Sequence, residues 1–289
     1  MAIKFVFAGE KTELQNASIN VLEECFEEWR MFTAKYGRKF SFQEISFAAL
    51  NEEDEVIAHV GLMPFEVSDG NGGVIAMAGV ASVATGIAYR KRGIASQLCS
   101  NAAAWAKENG FDCLPLYTAF NRVYESCSWQ NVPACGVILE NKNVVPCQFK
   151  KGSELTAEER EFIIDCYNKM PDFKGKVKRP LEWAFHSWER VFRDIFLTWN
   201  VTSGGYAVKF EDTLAEFFAL DGNAADLCGG AATAFLSPDC PQLEKLLDGG
   251  WCRIAENMPP ECWHGENVML RNVSQKNCDG LFFSLTDKF

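Results

Sequence analysis

The chain has 289 residues, 48% hydrophobic and 23% charged, a composition that excludes general disorder and fits two domains or one large one. Its 39 acidic side chains against 28 basic ones give a formal net charge of -11, which disfavours nucleic acid as a partner and suits cationic ligands such as amines. Twelve cysteines without a C-x-x-C pair and three histidines form no metal-ligand pattern, so no metal is expected, and the cysteines read as reduced thiols in a cytoplasm.

Residues 3–7 read as a first strand. Over residues 11–36, Val21, Leu22, Cys25, Phe26, Trp29 and Phe32 recur at three- and four-residue spacing, which predicts one or two amphipathic helices. Three apolar runs, 45–50, 56–67 and 74–85, are separated by the polar turns 51–55 and 69–73 and predict an antiparallel meander. None of them reaches the ~20 apolar residues of a membrane helix, and the N-terminus is charged too early for a secretory signal. Helical spacing returns at Ile94, Leu98, Ala102 and Trp105 and stops at Gly110. Residues 113–120 then predict a strand, 121–128 a brief helix and 132–139 a further strand. This order is that of an α/β protein with a mixed sheet.

The polar stretch 146–157 is the candidate linker and divides the chain into domains 1–148 and 149–289. Beyond it, helices are expected over 158–168, 181–192, 224–235 and 242–247, and strands over 196–202, 206–210, 215–220, 267–271 and 280–285. The aromatic group Trp183, Phe185, His186, Trp188, Phe192, Phe196 and Trp199 reads as core or inter-domain packing.

The segment from Val80 to Ala95 carries the chemistry. A strand ends, and a helix opens on Arg90-Lys-Arg-Gly-Ile-Ala95, the only dense basic triplet of an acidic chain. Unpaired N–H groups in the first turn of such a helix offer several donors at a positive dipole end, the arrangement that holds a pyrophosphate. Neither a Walker loop nor a dinucleotide fingerprint is present. Without wider context, the same residues would be a solvated helix start.

Val83-Ala-Thr85, four further residues, and Arg90-Lys-Arg-Gly-Ile-Ala95 resemble the cofactor motif of the GCN5-related N-acetyltransferase (GNAT) superfamily. Residues 116–129 are similar to the next strand and tyrosine-bearing helix of that family. The bipartite layout is most similar to its tandem-domain branch, named for enhanced intracellular survival. The resemblance implies a GNAT fold in the first domain and a diverged, GNAT-like second domain without a pyrophosphate cradle. That second domain would shape the acceptor pocket or a homo-oligomer contact.

For the site, the resemblance implies that main-chain groups of Val83, Ala84 and Thr85 hold the acetyl and pantetheine portions of acetyl-CoA. The backbone of Lys91, Arg92, Gly93, Ile94 and Ala95, with Ser96, would receive the pyrophosphate. Arg90 and Lys91 would neutralise phosphate charge, and Ala119 and Phe120 would border the thiol end. Tyr124 is the expected proton donor to the leaving thiolate. The terminal carboxylate of Phe289 is the family-based choice for the base, and Glu24, Glu27, Glu28 and His59 are others. Cys99, Cys113 and Cys127 read as packing rather than as acyl carriers. The implied function is acetyl transfer to a primary amine of a small molecule or peptide, with no nucleic acid or membrane as partner. The alternative is a non-catalytic acyl-CoA-binding or sensing module.

Overall fold

The computed structural model describes residues 2–9, 12–37, 45–179, 197–220, 224–260 and 264–285. The expected helix over 181–192, the aromatic residues from Trp183 to Phe196, and Phe289 lie outside them.

Strand β1 (Lys4–Gly9) is followed by helices α1 (Thr12–Cys25) and α2 (Glu27–Tyr36). The meander is β2 (Ile45–Leu50), β3 (Val56–Ser68) and β4 (Val74–Thr85), paired antiparallel in sequence order with β1 at the edge. Helix α3 (Ile94–Glu108) leads to β5 (Cys113–Thr118), which runs parallel to β4. The short α4 (Asn121–Glu125) and β6 (Gln130–Asn131) follow.

The two sheets exchange strands across the expected linker. β7 (Val137–Asn141) precedes residue 148 yet pairs within the second sheet. β14 (Asn267–Asn272), near the far end of the chain, inserts between β5 and β6 of the first sheet. The remaining strands of the second sheet are β8 (Lys150–Lys151), β9 (Leu197–Thr202), β10 (Gly205–Phe210), β11 (Thr213–Ala219), β12 (Thr233–Leu236) and β13 (Trp251–Glu256). Its order is β13-β7-β12-β11-β10-β9-β8, with β11 and β12 parallel. The described residues thus form a mixed α/β fold with two mixed seven-stranded sheets.

Helix α3 buries Ile94, Leu98 and Ala102 on one face of the first sheet, against Ala78, Val80, Leu114, Leu116 and Met269. Ile19, Leu22, Trp29 and Phe32 of α1 and α2 form a cluster with Ala84. Val67, Ile75, Met77, Val268 and Leu270 meet Val208, Phe210 and Phe235 in a core shared by both sheets. Helix α5 (Ala157–Lys169) joins this core through Ile163, Cys166 and Tyr167, and a Thr156–Glu159 capping box closes its N-terminus.

Two expectations give way, and one strand appears unannounced. The run 224–235 is not one helix: Gly229-Gly230 interrupts it, leaving a short helix, Ala224–Cys228, before β12. Around Gly230 the chain approaches so closely that a Cβ there would stand 3.1 Å from Cys147 and Phe149 side-chain atoms. Residues 280–285 form no strand, although Leu281, Phe282, Phe283 and Leu285 are buried; the Phe282 backbone instead packs on Gly175, leaving no room for a Cβ. β13 was not expected, because an edge strand whose side chains are mostly exposed carries no apolar alternation.

Candidate active site

β4 and β5 are in parallel register only at Met77 and Cys113, so the two strands separate toward their C-terminal ends at Thr85 and Thr118. β4 also bulges: between the pairs Gly61–Ala81 and His59–Ala84, the single residue Val60 faces both Ser82 and Val83. Ser82 has φ of 53°, in the left-handed region. Its carbonyl accepts from Nδ1–H of His59 at 3.0 Å, and His59 Nε2 is 3.1 Å from Ser46 Oγ. Burial pushes the His59 pKa down to about 4, opposed by its bond to the Ser82 carbonyl. His59 is a buried, neutral fastener of the bulge, with both ring nitrogens engaged.

After β4 the chain makes a short 3₁₀ turn (Ile87–Tyr89) and a left-handed step at Lys91, φ 62°, and at Gly93, φ 75°, before α3 begins. Two consequences follow for the basic triplet. Arg90 folds back, its Nε donating to the Thr85 carbonyl at 3.1 Å, and Arg92 donates to the Ala88 carbonyl at 3.1 Å while lying over the Tyr89 ring. Lys91 remains exposed. Among the described residues, the backbone N–H groups of Lys91, Gly93, Ile94, Ala95 and Ser96 donate to no protein acceptor. Nothing lies within 4 Å of a Cβ built on Gly93, so the approach to these donors is open. Successive free N–H groups around left-handed residues make an anion nest at the positive end of a helix.

Across the divide, Phe120 is 76% exposed at the end of β5, and its N–H is held by Thr118 Oγ1 at 2.9 Å. Two buried polar atoms here have no protein partner, Thr85 Oγ1 and Asn121 Oδ1. Asn121 opens α4, and sequence reasoning did not single it out. On the same helix Tyr124 is partly buried with its ring edge-on to Trp129, centroids 6.3 Å apart. Among the described residues its hydroxyl has no hydrogen-bond partner. Burial, with Cys99, Cys127 and Glu266 nearby, holds the phenol well above its ordinary range, so at neutral pH it carries its proton.

α4 is fixed from three sides. Trp129 donates through Nε1 to the Leu114 carbonyl at 2.9 Å, and Cys127 Sγ reaches the Ser96 carbonyl at 3.4 Å. From β14, Arg271 donates to the Cys127 carbonyl at 2.7 Å and lies over the Trp129 ring. No local pattern could reveal Arg271, because its partner is 144 residues away.

Of the candidate bases, Glu24 accepts from the Ile87 N–H at 3.0 Å and anchors α1 to the turn after β4. Glu27 and Glu28 stand in the first turn of α2, where they favour its positive end. Cys99, Cys113 and Cys127 are buried, and burial pushes the Cys99 thiol up to about 12, which suits packing rather than nucleophilic attack.

A family model described as an acetyltransferase (GNAT) domain matches residues 10–132. No curated protein sequence matches the chain. Among solved structures, Eis1 from Mycobacterium abscessus is similar with a TM-score of 0.58 at 13% identity, covering 94% of this chain and 74% of that one. A GCN5-related N-acetyltransferase from Anabaena variabilis gives a TM-score of 0.60 at 16% identity, covering 94% and 73%. Another from Kribbella flavida gives 0.55 at 17%, covering 94% and 71%. At such identities the likeness speaks for the fold, and it runs through both sheets. Residues 10–132 therefore match the GNAT acetyltransferase family model, within a two-sheet fold shared with these structures along most of the chain.

Proposed function

We propose that the protein transfers the acetyl group of acetyl-CoA to a primary amine of a small molecule or peptide, by direct attack with both substrates bound. The observation that carries this reading is the row of uncommitted N–H groups at Lys91 and from Gly93 to Ser96, opening beside the divergence of β4 and β5. These donors, the exposed Lys91 and the open space at Gly93 fit a diphosphate. The orphaned Thr85 Oγ1, at the end of β4, and Asn121 Oδ1, at the start of α4, fit the amide-bearing arm of the same molecule.

When bound, the thioester supplies an activated acyl carbon and a thiolate leaving group. Tyr124 would donate its proton to that sulfur; an uncommitted hydroxyl and surroundings that oppose the phenolate support this role. Main-chain groups at the Ser82–Val83 bulge, held in place by His59, are suited to polarise the carbonyl. Holding donor and acceptor together supplies much of the rate.

Calorimetry with CoA and a thiol-release assay across amine classes test the reading. CoA is expected to bind and to appear as free thiol when amine is supplied. In Tyr124→Phe the rate should fall about 10²-fold at unchanged donor affinity. Binding without thiol release for any amine would leave an acyl-CoA-binding module instead.

A further inference from the structure

The bulge in β4 is braced from behind by a row of buried polar side chains. Phe47 of β2 and Val60 of β3 belong to the core under α3. The alternation of a strand therefore sends Ser46 and His59 to the opposite face, where Gln15 of α1 meets Ser46. All three are buried, Ser46 and His59 completely. Gln15 Nε2 donates to Ser46 Oγ at 3.3 Å, Ser46 Oγ lies 3.1 Å from His59 Nε2, and His59 Nδ1 lies 3.0 Å from the Ser82 carbonyl oxygen.

The direction of these bonds follows from what each group can do. A carbonyl only accepts, so His59 Nδ1 carries the hydrogen, and the neutral ring presents Nε2 as an acceptor. Ser46 takes a bond from Gln15 and gives its own hydrogen to that nitrogen. The three bonds therefore all point one way, from α1 to β4, and bonds aligned head to tail polarise one another. Their last member is the peptide group that joins Ser82 to Val83. Among the described residues no peptide bond is cis, so the Val83 N–H points away from the Ser82 carbonyl, toward the side of the sheet that α3 covers. Drawing electron density onto that carbonyl makes the N–H of the same peptide a stronger donor.

Resting on the acetyl-transfer reading, we propose that Ser46, on a strand two removed from β4, is a positioning residue for that reaction. Its hydroxyl holds His59 in the Nδ1–H form, and His59 aims and strengthens the Val83 N–H as donor to the thioester carbonyl oxygen. As the amine nitrogen bonds to the acyl carbon, the carbonyl electron pair moves onto this oxygen, and it returns when the C–S bond breaks. A strengthened donor therefore gains most where the charge is greatest, in the transition state. The relay itself transfers no proton. Without the Ser46 hydroxyl, the ring hydrogen is free to move to Nε2, and the Ser82 carbonyl then loses its donor.

NMR of the His59 ring nitrogens, CoA calorimetry, thiol release, and infrared difference spectra of acetyl-CoA labelled at its thioester carbonyl test this. The tautomer is read in a chain carrying His186→Gln and His264→Gln, where His59 is the one ring left. It should be the Nδ1–H form at neutral pH, and because the relay is intact there, this measurement decides even where Ser46→Ala fails to fold. In Ser46→Ala the bound carbonyl band should rise toward its frequency in free acetyl-CoA. Its kcat should fall about tenfold, short of the ~10²–10³ that goes with a whole donor, while CoA affinity stays unchanged. Ser46→Thr, which keeps the hydroxyl, should restore both band and rate. A merely structural role would not move the band. An Nε2–H ring, an unmoved band in Ser46→Ala, or a Ser46→Thr variant as slow as Ser46→Ala overturns the relay and leaves acetyl transfer standing. A wild-type protein that binds CoA yet acylates no amine overturns both.

Discussion

His59 shows how one side chain sets the shape of the strand it faces. The Ser82 carbonyl only accepts, so Nδ1 carries the hydrogen; Nε2 of the neutral ring then accepts from the Ser46 hydroxyl, which in turn accepts from Gln15. Protonating the ring would break this relay inside a dry core. The folded protein takes up that proton only near pH 4, whereas the unfolded chain does so near pH 6.5. The resulting stability is complete above pH 6.5 and is lost as pH falls toward 4, by about 3 kcal/mol. Urea midpoints measured across this window should decline for wild type and stay flatter for His59→Gln, the difference isolating this residue from titrating carboxylates. Residue identity in the Arg90–Ala95 motif was legible in the sequence, but side-chain direction was not. The left-handed steps at Lys91 and Gly93 bare the backbone, while Arg90 and Arg92 turn back onto the preceding turn.

At the level of elements, β14 stands out because it serves a sheet far from it in sequence. Arg271 caps the carbonyl of Cys127 and stacks on Trp129, whose ring supports Tyr124. Removing it leaves that carbonyl without its charged donor, a loss of about 1–3 kcal/mol. Arg271→Ala is expected to melt at lower temperature and to lose kcat more than CoA affinity, as calorimetry and thiol-release kinetics would show. The local elements were readable for a physical reason: α1, α2, α3 and the β2–β4 meander each display their buried face at the period of their own structure. The pairing of β14 with β5 leaves no such trace, since 267–272 reads as a strand without naming its neighbour. The same holds for the reach of Arg271 to the Cys127 carbonyl and the Trp129 ring.

For the molecule as a whole, the two sheets are joined by more than the covalent chain. Residues 176–178 run along β3, with Ser68 N–H donating to Lys176 and Lys178 N–H to Glu66, both at 2.8 Å. Arg179 then enters the second sheet and forms a buried, two-pronged ion pair with Glu216 of β11, at 2.8 and 2.7 Å. Tyr206 adds a hydrogen bond to the same carboxylate at 2.7 Å. Glu216→Gln strands the Arg179 charge in a dry interior, and equilibrium unfolding should show a loss of about 3–5 kcal/mol. Because β7 and β14 cross between the halves, a fragment of residues 1–148 lacks the partner of β5 and exposes a strand made for the other sheet. Neither this fragment nor 149–289 is expected to unfold cooperatively alone, and mixing them should restore a single transition by circular dichroism.

The late arrival of β14 also bears on how the protein is made. At translation speeds of 5–20 residues per second, on the order of ten seconds separates the emergence of β6 from that of the strand that must slip in beside it. Throughout that interval the nascent first sheet presents an open, hydrophobic seam at the exit of the ribosome. Until β14 fills it, such a seam leaves the nascent chain open to edge-to-edge association.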